Sequence, residues 1–252
     1  MPEQLLFTRI LNHAFASPVY ALLHALRVDN ALQALGAQPI SPQAPISNAA
    51  AMELLVVAVL LVSFILVRTR LSVENPGSLQ HVFEGFQGFI EGESHNIIGH
   101  GSEGFTAFLS ALFLFILIAN LFGVIPGLEA PTASVVVPLG LAVFTFVYYH
   151  VHGIRRHGLG YIRQFLGPMW WLAWLMLPLE IISHFARLLS LTVRLYANMF
   201  AGDLVTLAFF SIIPIALPIV FLGLHIFVAL LQAYIFVLLA MVYLAGAVAA
   251  EH

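Results

Sequence analysis

The stretch LLSLTVRLYANMF, residues 188–200, sets one arginine, Arg194, inside a helix that is otherwise fit for lipid. A guanidinium at mid-bilayer costs about 2.5–3.5 kcal/mol on insertion scales and ~10–17 kcal/mol in simulations, so it faces a protein or water-lined interior. One turn away stand Ser190 and Asn198, neither of which can neutralise it. The nearest acids along the same helix are Glu180 and Asp203, roughly 21 and 14 Å off at about 1.5 Å rise per residue. The counter-charge is therefore expected on another helix or another chain.

Composition agrees with a membrane setting. Of 252 residues, 61% are hydrophobic and 8% charged, and mean hydropathy is +0.99, unlike a soluble domain. All nine basic residues are arginine, and a net charge of −3 singles out no partner. The lack of cysteine excludes a disulfide framework, a thiolate metal site and a cysteine nucleophile. The first residues show no cationic start followed by an apolar block and a small-residue cleavage site, so a removable signal peptide is not expected. No phosphate-cradling GxxxxGK[ST] loop occurs.

The pattern predicts an all-α integral membrane protein with about five membrane helices plus an interfacial one. Residues 1–48 read as an extramembrane arm, with an amphipathic helix expected over 17–35 and then Pro39, Pro42 and Pro45. Segments 49–67, 104–122 and 134–151 are apolar and long enough to span a ~30 Å core. Segment 80–98 mixes Phe83, Phe86, Phe89 and Ile90 with Glu84, Glu91 and Glu93, as an amphipathic helix lying at the interface would. Gly123, Pro126 and Pro131 mark a loop. Arg68 and Arg70 follow the first span, and Arg155, Arg156 and Arg163 follow the third. The positive-inside rule puts both clusters in the cytoplasm, leaving the N-terminus outside and the C-terminus cytoplasmic.

Two longer segments close the chain, 178–212 and 217–249, with Pro178 well suited to a first helical position. About 50 Å of helix exceeds a ~30 Å core, so a strongly tilted or bent hairpin is expected, turned by Pro214 and Pro218. On the first of these, Glu180, Arg187 and Arg194 recur every seventh residue and share a face with Ser183 and Ser190, because such a step drifts only about 20° on a 3.6-residue helix. On the second, His225 and Gln232 share a face, with Tyr243 further along. An apolar helix carries such groups only where they meet partners or water.

The runs EIISHFARLLSLTVRLYANMFAGD, residues 180–203, and HIFVALLQAYIFVLLAMVYLAGAVAAEH, from His225, resemble subunit a of the rotary F-type ATP synthase. From residue 49 onward the order and spacing of segments fit that family; outside these runs the likeness is mostly one of hydropathy. The resemblance implies a proton-conducting stator set against a ring of c subunits, each with a membrane-embedded carboxylate. On this likeness Arg194 is the charge barrier and Asn198 and Gln232 are its polar neighbours. Glu180 with Ser183 and Ser190 forms the half-channel toward the cytoplasm, and Asp203 with His225 the half-channel from the outer face. It further implies peripheral-stalk b subunits and the lipid bilayer as partners, H⁺ as the transported ion, no cofactor, no metal and no nucleic acid, and the plasma membrane of a bacterium. Members of the family often carry glutamate where this chain has Asp203, one methylene shorter.

Other readings stand beside these. Glu180 also fits an internal counter-ion for Arg187 or His184, Asp203 and His225 fit a structural pair, and Asn198 and Gln232 fit polar glue between helices. Glu53 and Glu129 read as solvated or interfacial rather than functional. A histidine-metal membrane enzyme would use His150, His152 and His157, but these mingle with Arg155 and Arg156 and read as a solvated cytoplasmic loop. A secondary transporter would show repeated halves, and no repeat is found.

Overall fold

Without water in the hydrocarbon, every backbone polar group must be satisfied within the segment, and a run of about 20 apolar residues has only the helix open to it. The computed structural model describes residues 4–26, 43–69, 71–72, 77–125, 127–158, 160–161, 173–212 and 216–248. In them the chain forms α1 (Leu6–Ala25), α2 (Asn48–Thr69), α3 (Ser78–Ile98), α4 (Glu103–Phe122), a 3-10 turn (Pro131–Ala133), α5 (Val136–His157), α6 (Ala173–Ile212) and α7 (Ala216–Val248). Five of these, α2 and α4 to α7, are long and apolar enough to cross a membrane.

Several elements depart from the sequence expectation. The arm's helix is α1, which begins eleven residues before the expected start and carries Pro18 inside it; the remainder of 17–35 beyond residue 26, with Pro39 and Pro42, lies outside the described residues. Helix α5 runs to His157, six residues past the expected end, and stops at Gly158 with φ +56°. His150, His152 and His157 thus ride on a helix and not in a loop. Pro178 is not a first residue either: it sits inside α6, which is helical from Ala173. Its missing N–H leaves one helical bond unmade near the helix start, a defect that membrane helices accommodate. Pro218 falls within the first turn of α7, where no N–H is required, while Pro214 is outside the described residues.

Helix α7 is the hub, packing against α3, α4, α5 and α6. Its buried positions include Ala229, Ala233, Ala240 and Ala247, with Phe236, Val237 and Leu244 between them. Lipid tails are as apolar as leucine, so burial alone draws such helices together weakly, and small residues that let backbones approach supply the packing. A second cluster joins Met52 and Val56 of α2 to Ala119 and Phe122 of α4, with Leu11 and Val19 of α1 against it.

Buried polar groups lock the connections. Glycines with φ +84° at Gly99 and +88° at Gly101 allow the short turn from α3 to α4. Across that turn the Ser110 hydroxyl donates to Gln87 Oε1 at 3.0 Å. Asn120, fully buried, accepts from Thr132 Oγ1 at 2.7 Å and donates through Nδ2 to the Ala229 carbonyl at 3.3 Å. It ties α4, the 3-10 turn and α7 together. Asn120→Ala orphans the Thr132 hydroxyl and is expected to cost about 1–3 kcal/mol. Thermal unfolding of the detergent-extracted protein, followed by circular dichroism, should show the midpoint falling; an unchanged midpoint would rule this clamp out.

Candidate functional site

Helix α6 divides its residues between two faces. Leu191, Leu195 and Met199 are buried against the bundle, whereas Ala186, Ser190, Ala197, Asn198 and Ala201 are exposed and Arg194 is half-buried among them. The guanidinium meets the Ser190 hydroxyl at 3.4 Å. Among the described residues no carboxylate lies within ion-pair distance of it. One turn on, Asn198 Nδ2 donates to Gln232 Oε1 at 2.7 Å, joining α6 to α7 beside the arginine. Gln232 is 2% exposed, and its Nε2 has no protein partner.

Toward the start of α6 lies a cavity of about 200 Å³, lined by Glu180, His184 and Arg187 of α6, Tyr149 of α5, Tyr243 of α7, and Tyr161. Glu180 Oε1 is 3.4 Å from His184 Nε2, and His184 Nδ1 shares a hydrogen bond of 3.0 Å with the Tyr149 hydroxyl. Of the two counter-ion partners open to Glu180, packing selects His184. Arg187 instead lies 5.3 Å from the centroid of the Tyr243 ring, within cation–π range. Burial pushes the Tyr161 phenol up from its ordinary value, which keeps it a neutral donor. Ser183 and Ser190 are not among the lining residues of this cavity.

Toward the other end of α6 is a larger cavity of about 890 Å³. It opens because α2 and α6 each pack on the 3-10 turn more than on one another. Asp203 of α6 and His225 of α7 line it, together with Glu53 of α2, Glu129 of the α4–α5 loop, and Val19 and Leu23 of α1. His225 Nδ1 is 3.9 Å from Asp203 Oδ1, too long for a direct hydrogen bond and short enough for an electrostatic contact. Gly202 makes the approach possible: a Cβ there would stand 3.1 Å from His225 Cε1 and 3.2 Å from Nδ1. At Gly123 the tight neighbour is Ala130, whose Cβ would stand 3.0 Å from an added Cβ, so glycine there lets the α4–α5 loop fold close to the end of α4.

The sequence-predicted residues thus fall into three groups along one helix. Arg194, Ser190, Asn198 and Gln232 meet at the middle; Glu180 and the Asp203–His225 pair sit in separate cavities; Ser183 is half-buried between. Tyr149, Tyr161 and Gly202 were not singled out from the sequence. The run of aromatic and histidine residues at 148–152 was a signal for Tyr149. Nδ1 of His150 and of His152 each engages the backbone carbonyl four residues back, at 2.9 Å, which fixes the ring orientations. No group of three or more potential ligands comes together among the described residues.

Known proteins match this sequence. Residues 50–245 fit the family described as ATP synthase A chain. The chain is 53% identical to ATP synthase subunit a of Koribacter versatilis over 253 residues, covering 100% of each. It is 50% identical to ATP synthase subunit a of Solibacter usitatus over 91% of this chain and 98% of that one, and 46% identical to its namesake in Oleidesulfovibrio alaskensis over 70% and 76%. The chain belongs to the ATP synthase A chain family and is a multi-pass membrane protein.

The contact at Gly202 can be checked directly. Gly202→Ala should destabilise the protein by about 1–3 kcal/mol through overpacking against the His225 ring, and much of that loss should vanish in a His225→Ala background. A double-mutant cycle on thermal midpoints measures it; additive effects would mean the ring is not what the methyl meets.

Proposed function

We propose that this chain is the proton-conducting stator of a rotary ATP synthase, in which Arg194 separates two half-channels that end on a ring of c subunits. The observation that carries it is the setting of Arg194: a cation on an outward face of a membrane helix, with no acid of its own chain within reach among the described residues. Small neighbours Ala186, Ala197 and Ala201 on that face leave room for a partner helix to come close. The two cavities support it as well. Glu180 and Asp203 lie roughly 21 and 14 Å along the helix on opposite sides of Arg194.

The mechanism follows from the arginine's chemistry. Its pKa stays above about 12, so it holds its charge and passes no proton. A protonated ring carboxylate that comes within ~4–6 Å is driven to ionise, since a nearby cation lowers a carboxyl pKa by about 1–3 units. It releases its proton into one half-channel. Beyond the arginine the carboxylate would face lipid, where an isolated charge is too costly, so it first takes a proton from the other half-channel. A membrane potential, worth about 2.3 kcal/mol per charge per 100 mV, sets the direction. The chain forms no covalent bond itself; ATP chemistry belongs to other subunits, and peripheral-stalk b subunits hold it against the ring's torque.

Orientation is part of the proposal. The start of α2, the α4–α5 loop, the end of α6 and the start of α7 gather around the larger cavity, while the end of α5, the start of α6 and the end of α7 gather around the smaller. Arg155 and Arg156 close α5 at the smaller cavity's end, which the positive-inside rule assigns to the cytoplasm. The Glu180–His184–Tyr149 chain then faces the cytoplasm and the Asp203–His225 pair faces outward, in the plasma membrane of a bacterium.

Arg194→Ala should lower proton-driven ATP synthesis in membrane vesicles by on the order of a hundredfold or more, the scale of losing a preorganised charge. Lysine should not rescue it, because a buried ammonium sheds its proton; coupled synthesis at the normal rate in the alanine variant would overturn the assignment. Asp203→Ala should slow proton uptake on the order of tenfold or more while assembled complex, quantified on native gels, stays at the parental level. Parental flux in that variant would leave the pair with a structural role alone.

A further inference from the structure

Glu53 is a carboxylate in the first span, half-buried near the start of α2. Among the described residues it has no hydrogen bond or ion pair. A carboxylate serving only to mark the membrane boundary would face outward, as Val59 and Val62 on the other side of the same helix do. Glu53 instead lines the large cavity that holds Asp203 and His225.

The titratable groups that face this cavity come from each surrounding element: Glu53 from α2, Glu129 from the α4–α5 loop, Asp203 from α6 and His225 from α7, while α1 contributes Val19 and Leu23. Among the described residues, three carboxylates and no arginine share this space. A cleft of single sign raises the local concentration of its counter-ion, here the proton. His225 supplies an independent sign that this space is functional: it is 4% exposed, and its Nε2 has no protein partner. At about 890 Å³ the cavity has room for many waters, each taking about 30 Å³.

We propose that Glu53 is the proton-collecting carboxylate of this cavity, acting before Asp203 and His225. The inference rests on the proposed stator function and adds a residue to it. Glu53 takes a proton from hydronium at the outer mouth, releasing water and becoming neutral; it gives the proton through cavity water to the Asp203–His225 pair and returns to the carboxylate. Only O–H and N–H bonds form and break, and no net charge is left behind. Glu129, exposed at the rim, adds to the negative field.

The test uses the whole ATP synthase in liposomes, with potential-driven ATP synthesis read against the pH of the outward face. Glu53→Gln should reduce the rate on the order of tenfold at an outer pH of about 8, where protons are scarce, and much less at about pH 6, as expected for loss of a proton-attracting charge. Glu53→Asp should restore most of the rate. Equal rates for the parent and Glu53→Gln across that range would overturn the proposal. A second variant guards against a folding defect. The chain has no cysteine, so in assembled complex Glu53→Cys offers one target in this subunit. A cationic thiosulfonate added from the outer side should modify it and block synthesis, whereas Val59→Cys, on the outward face of α2, should be unaffected. Failure of Glu53→Cys to react would also overturn the proposal. If the parental complex makes no ATP under a potential, or Arg194→Ala makes it normally, the stator reading itself fails; if both behave as expected and Glu53→Gln is silent, only the role of Glu53 falls.

Discussion

A fixed positive charge that no described residue of its own chain neutralises is the constraint around which this molecule is arranged. Arg194 has the Ser190 hydroxyl beside it and no acid within reach among the described residues. Charge in a low-dielectric setting demands compensation, so the helix that bears it must be held rigidly from behind and kept open in front. Leu195 and Met199, fully buried, do the holding. The Asn198–Gln232 hydrogen bond fixes the register of α6 against α7 within a turn of the arginine. Alanines on the open face keep bulk out of the way.

The rest of the fold places polar groups where each has a reason to be. Ser110, Thr132 and Asn120 satisfy one another or their neighbours in the bundle. Nε2 of His225 and of Gln232, each short of a protein partner, belong to residues at the larger cavity and beside the Asn198 that follows Arg194. The two cavities differ in character. The smaller is walled by tyrosines, with a histidine bridging a phenol and a carboxylate; the larger is broad, acidic and partly walled by α1 and the start of α2. A broad acidic mouth suits capture from a dilute proton supply, and a narrow hydrogen-bonded chain suits release.

How far this was legible in the sequence depends on which physical signal carried each part. Five apolar segments announce five helices, because lipid permits little else. Hydropathy marks where the membrane is, not where a helix stops, and so the end of α5 was misplaced at residue 151. The basic last turn and Gly158 after it were the better stop signal. Pro178 misled in the opposite way, its fitness for a first position hiding the turns before it. The order of Glu180, Arg194 and Asp203 on one helix can be counted off the chain. What lies beyond His184 cannot, since Tyr149 arrives from a different helix only through packing. Nor could Glu53 be told from an ordinary boundary residue, because a cavity is defined by what fails to fill it.

One amide near the N-terminus carries an effect out of proportion to its size. Asn12 donates to the Ile46 carbonyl at 3.1 Å and accepts from the Ile46 N–H at 3.0 Å, imitating a strand neighbour and fastening α1 to the approach of α2. Since Val19 and Leu23 of α1 and residues 44–50 wall the large cavity, this fastening decides the shape of its entrance. Loosening it would leave the packed helices behind intact while widening the vestibule. The amino-terminal arm thereby acts as a doorframe to the acidic chamber.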